Sequence, residues 1–84
     1  MNLYRISQTS NRSYDTYDSA IVCAESEASA RVIHPSGDPE DVPSNWLGKH
    51  TSWCQTIDQV TVEPIGTAAL GVPEGVVLAS FCAG

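Results

Sequence analysis

Residues 14–37 read YDTYDSAIVCAESEASARVIHPSG, and a change of character inside this stretch decides the fold. Its first half is apolar and β-branched around Ala20, Ile21, Val22 and Cys23, which suits a buried strand over Ser19–Glu25. Its second half changes period. Ser26 offers the hydroxyl of an N-cap, and Glu27 the charge that the positive end of a helix favours. At 100° per residue, Ala28, Ala30, Val32 and Ile33 share one broad face, while Glu27, Arg31 and His34 share the other. Glu27 and Arg31 then stand at i, i+4 as an exposed ion pair. Pro35 drives His34 out of the helical region and closes the element after two turns or so. A helix this short holds only against a sheet.

Upstream, Asn2–Ser7 (NLYRIS) alternates, with Tyr4 and Ile6 on one side of a pleat and Leu3 and Arg5 on the other. The polar run Gln8–Ser13 is turn-rich, and a hairpin is the simplest connection between the two strands. Downstream, residues 35–58 (PSGDPEDVPSNWLGKHTSWCQTID) hold three prolines, both tryptophans and the acidic cluster Asp38, Glu40 and Asp41. An irregular segment of this length is commonly functional. A short helical turn over Ser44–Gly48, capped by Ser44, interrupts it. Gln59–Ile65 (QVTVEPI) alternates again, and Pro64 marks an edge strand or its end. After a Gly/Pro-rich loop over Gly66–Gly75, Val76–Phe81 (VVLASF) reads as a last strand buried on both sides or nearly so. The expectation is an α+β fold of order ββαββ. It has a small antiparallel sheet of three or four strands and one short helix packed on one face. All 84 residues form a single domain (1–84) with a long irregular loop at about 35–58.

Ten Asp and Glu against four Lys and Arg give a formal charge of -6. The cations Arg5, Arg12, Arg31 and Lys49 are scattered, so direct nucleic-acid binding is disfavoured and a basic protein surface is the easier partner. The first residues, MNLYR, lack the pattern of a signal peptide, and no apolar run approaches the ~18–20 residues that span a bilayer. Cys23, Cys54 and Cys82 are an odd number. These features together lead to the expectation of a cytoplasmic protein with free thiols.

Two Tyr-Asp pairs, Tyr14-Asp15 and Tyr17-Asp18, precede the second strand. Read structurally, the aspartates make turn bonds while the rings pack on the sheet edge. Read functionally, tyrosines are rigid contact residues, and flanking carboxylates select a basic partner. Trp46 and Trp53 pose the same choice between capping a small core, the expectation for at least one of them, and exposed contact. Metal ligation is not expected, since Cys23, Cys54, Cys82, His34 and His50 show no ligand spacing. Cys54 with His50 lacks an orienting group for nucleophilic catalysis. The glycines lack phosphate-loop spacing, and the acidic cluster fails the calcium-loop pattern.

The run YDTYDSAIVCAES with EASARVIHPSG, then VTVEPIGTA and the ending GVVLASFCAG, resembles a group of small proteins encoded by bacteriophages and prophages. The resemblance covers most of the chain and is weakest over Asp38–Asp58. It implies a short cytosolic product of a mobile element and supplies no site residues. Such products often bind host machinery, including inhibitors of CRISPR–Cas complexes and sponges for immune nucleotide signals. The leading expectation is therefore a non-enzymatic protein without cofactors that binds a basic host protein, for example as an anti-defence inhibitor. Its contact residues are Tyr14, Asp15, Tyr17, Asp18, Trp46 and Trp53, with the acidic cluster beside them. The alternative is a homo-oligomeric binder of a small ligand such as a nucleotide signal, in which Trp53 stacks on the base and Arg12, Arg31 and Lys49 meet the phosphates.

Overall fold

The computed structural model describes residues 1–12, 15–46 and 52–82, the side chain of Cys82 excepted. Alternation in the first strand β1 (Asn2–Ser7) matches that of β2 (Thr16–Ala24), and the two form an antiparallel hairpin from Asn2↔Ala24 to Ser7↔Ser19. This register sets Tyr4 opposite Val22 and Ile6 opposite Ala20, and all four are buried. Strand β3 (Thr61–Thr67) joins the free side of β1, and β4 (Gly75–Cys82) joins the free side of β2. The result is a four-stranded antiparallel sheet of order β3-β1-β2-β4. The sequence expectation of a small antiparallel sheet with one short helix holds. The order along the chain is not strictly ββαββ, because two 3-10 turns, Pro43–Asn45 and Ile57–Gln59, stand between the helix and β3.

Three register shifts bend the sheet. Asp18 has no partner on β4, because Tyr17 pairs with Phe81 and Ser19 with the adjacent Ser80. An extra residue in one strand breaks the period of two. Tyr17 therefore lies against the core that Ala20 and Val22 enter. Val77 is the corresponding extra residue of β4, and Ile65 that of β3.

The helix α1 (Glu27–Arg31) begins as read: Ser26 Oγ accepts a bond from the Ser29 amide at 3.2 Å. It packs against β1, β2 and β3. Its extent and its outer face are corrected. The helix is capped at Val32 after little more than one turn, so the helical period does not reach His34. His34 is buried, Ala28 and Val32 are exposed, and Ala30 alone of the expected apolar face is fully buried. Arg31 turns away from Glu27 and donates to the carbonyls of Ile57 and Val60.

Residues 35–46 and 52–60 supply what one helical turn cannot. Trp46, Trp53 and Cys54 enter the same cluster as Tyr4, Ile6, Val22 and Ala30. The Trp46 indole donates to the carbonyl of Asp41 at 3.1 Å, and the Tyr17 amide to that of Ser52 at 2.7 Å. The second layer over the sheet is thus α1 plus this irregular segment. Of the turn expected over Ser44–Gly48, residues 47 and 48 lie outside the described residues, and Ser44 falls inside the 3-10 turn Pro43–Asn45. Val42 stands at its cap position, and Pro43 occupies the first turn, where its missing amide costs nothing.

The last strand is also corrected. β4 is not buried on both sides but forms one edge of the sheet, with Val77, Leu78 and Phe81 exposed by 51%, 68% and 48%. Its apolar run suits a central strand, yet β2 already has β1 on its other side. The residues 68–74 that lead to β4 turn back at the Asn2–Ala24 end, where the Val72 carbonyl meets Cys23 Sγ at 3.8 Å. Among the described residues no helix is long and apolar enough to cross a membrane.

Candidate protein-binding surface

Buried Gln8 organises the end of the β1–β2 hairpin. Its amide nitrogen donates to the carbonyls of Asn11 at 2.7 Å and Tyr17 at 3.0 Å, and its oxygen accepts from the Asn11 amide at 2.7 Å. Asn11 in turn donates to the Trp53 carbonyl at 3.0 Å, which ties this connection to the irregular segment. Asp15 has φ 60, a left-handed conformation that aspartate tolerates better than most residues. Asp15 and Asp18 are both exposed. Tyr17 is half-buried, tilted on Phe81 at a centroid distance of 4.7 Å and edge-on to His34 at 5.9 Å. Tyr14 lies outside the described residues.

The tryptophans do not form part of a contact surface. Trp46 and Trp53 are 1% and 0% exposed, because the short helix leaves core volume that only large side chains fill. The expectation that at least one of them caps the core applies to both, and the expectation of exposed rings is overturned. The alternative nucleotide pocket loses its stacking residue by the same burial. Arg31 is half-buried and already bonded to two carbonyls, so it is not free to meet phosphates. Arg12 is exposed, and Lys49 lies outside the described residues.

His34 sits among rings, with Trp46 at 6.0 Å and Trp53 at 6.3 Å in addition to Tyr17. Its Nδ1 accepts from the Ser36 amide at 3.0 Å and stands 3.7 Å from an Asp41 carboxylate oxygen. Burial lowers its pKa below 6.5, against the opposing pull of Asp41 and Asp38. The imidazole is therefore neutral, with its proton on Nε2. Beside it opens a groove of about 360 Å³ lined by Val32, Val42 and Val76 and by the acidic residues Asp38, Asp41 and Glu74. The sequence places Asp38 and Asp41 in one acidic cluster. It carries no local sign that Glu74 and Val76, far along the chain, complete a groove with them. Only the pairing of β4 with β2 brings these residues together.

The arrangement sets an apolar wall beside acidic residues. Burial pushes the Cys54 thiol up to about 11, which leaves it protonated and a poor nucleophile at neutral pH. His50, its candidate base, lies outside the described residues. Among the described residues no group of three His, Cys, Asp or Glu could hold a metal ion. Comparison with protein-family models, with curated proteins and with solved structures finds no match for this chain.

Proposed function

We propose that this chain is a non-enzymatic binding protein whose acidic groove takes a basic, partly apolar segment of a partner protein. The observation that carries this reading is the joining of three valines and three acidic residues, Asp38, Asp41 and Glu74, in one groove. A Lys or Arg side chain lays its aliphatic stem on apolar surface while its head meets carboxylates, so one residue of the partner satisfies both linings. Two of the described cations are engaged elsewhere: Arg5 stands 3.8 Å from Glu63, and Arg31 is bonded to carbonyls. Asp15 and Asp18, exposed at the hairpin end, extend the negative field toward the same class of partner. The resemblance to phage and prophage products supplies the biological setting: a host protein with a basic surface, in the host cytoplasm, inhibited as an anti-defence measure.

Titration of labelled protein with a short peptide of alternating Arg and Leu tests the groove directly. Amide shifts are expected at Val32, Gly37, Gly75 and Val76. They are abolished by Glu74→Lys and weakened steeply from ~0.1 M to ~1 M salt, where the screening length falls from ~10 Å to ~3 Å. Shifts confined to the Asp15–Asp18 end, or unchanged by Glu74→Lys, count against the groove. A host protein captured by the wild type and lost with Glu74→Lys then identifies the partner.

A further inference from the structure

The two edges of the sheet are unlike. β3 carries Glu63, Pro64 and the extra residue Ile65, devices that blunt an edge against further pairing. β4 (GVVLASFC) has neither proline nor charge over eight residues. Its one irregularity, at Val77, lies near the start. From Leu78 to Cys82 its side of the ladder is continuous, since the second shift against β2 falls on Asp18. Among the described residues, β2 is its only strand neighbour. A row of amides and carbonyls is therefore offered along an apolar strand.

We propose that β4 pairs antiparallel with β4 of a second copy of this chain about a two-fold axis, making one continuous sheet of eight strands from two four-stranded halves. Charge selects a second copy as the occupant. Each chain carries -6, and like charges set opposite each other destabilise a strand pair. β4 is the one strand of the four without a charged residue, so two acidic copies meet there without opposing carboxylates. In such a dimer Asp18 of β2 and its mate stand at least three strand spacings apart, about 14 Å, beyond the screening length of ~8–10 Å at ordinary salt. Symmetry is also satisfied. An axis normal to the sheet keeps both helical layers on one side. Centred at Ser80, it sets Ala79 opposite Phe81 of the other copy, a small residue against a large one on the core face. The pairing uses up both β4 edges, so assembly closes at two.

Sedimentation in the presence of reductant, across ~1 μM to ~1 mM, tests the proposal. Wild type is expected to reach twice the chain mass and no more. Ser80→Lys sets a charge directly opposite its symmetry mate, and Leu78→Lys puts one on the same exposed face of the pairing strand two residues away. Both are expected to weaken association at least tenfold, with circular dichroism unchanged. Ile65→Lys, on the protected edge, is expected to leave the dimer intact. A wild type that stays monomeric overturns the proposal. So does a dimer that survives both β4 variants, one that Ile65→Lys dissolves, or growth beyond two copies.

Discussion

Gln8 shows how much one side chain can carry in a domain this small. Four groups meet its amide: the carbonyls of Asn11 and Tyr17, the Asn11 amide and the Ser10 hydroxyl. Truncation strands several part-buried backbone groups at once, where a fully buried unsatisfied group costs ~1–3 kcal/mol. Gln8→Ala is therefore expected to destabilise the protein by about 2–4 kcal/mol, read as a lower midpoint in urea with unchanged slope. In an 84-residue chain each kcal/mol is worth roughly 4–8 °C of melting temperature. His34 makes the complementary case in pH. Its folded pKa lies below the unfolded value of 6.5 because burial opposes the charge. Between those two values the unfolded chain holds the extra proton, so stability is full above pH 6.5 and declines as pH falls below it. Protonation of Nδ1 also displaces the Ser36 amide. Denaturation midpoints measured from pH 7.5 to pH 5 should show this decline. His34→Asn, which keeps an acceptor near the position of Nδ1, should flatten the histidine part of the profile.

At the scale of elements, α1 is the place where local rules reach their limit. The start was legible because a cap is a two-residue chemistry, Ser26 with the Ser29 amide. The length was not, because five helical residues cannot fix a 3.6-residue period. Arg31 went with the missing turn: it braces the 3-10 turn Ile57–Gln59 and the start of β3 through the carbonyls of Ile57 and Val60. Arg31→Met keeps the stem and removes the donors, and about 1–2 kcal/mol should be lost. Glu27→Gln should change equilibrium unfolding by less than ~0.5 kcal/mol, since no ion pair joins Glu27 to Arg31 here. Equal losses from the two variants would restore the i, i+4 pair. β1 is legible from alternation, β2 from its apolar, β-branched run and their hairpin as the simplest connection, and Pro64 announces an edge strand. The edge position of β4 is not legible, because an apolar run has the same composition in the middle of a sheet as on an unprotected edge. The groove was half legible: Asp38 and Asp41 are neighbours in sequence, while Glu74 arrives through strand pairing.

Across the whole molecule, the irregular segment is part of the core and not an appendage to it. Ile6, Val22, Trp46 and Trp53 share one buried cluster. Asn11 and Tyr17 bind the backbone of Ser52 and Trp53 from the hairpin side. The tryptophans were ambiguous in sequence because a proline-rich, aperiodic segment looks like surface, and only the shortage of helix shows that their volume is needed inside. This coupling sets the scale of damage. A chain of 84 residues has a total stability of roughly 4–13 kcal/mol, and Trp→Ala in a core costs ~3–5 kcal/mol. Trp53→Ala should therefore bring the entire fold near its threshold and should not merely loosen a loop. Native-state hydrogen exchange distinguishes the two outcomes. A shared core requires that amides of β1 and β2, such as Ile6 and Val22, lose protection together with those near Trp46, by the same free energy as the global change. If Trp53→Ala speeds exchange only between residues 35 and 60 while the strands keep their protection, the segment is a separable cover, and the sheet with α1 carries its own stability.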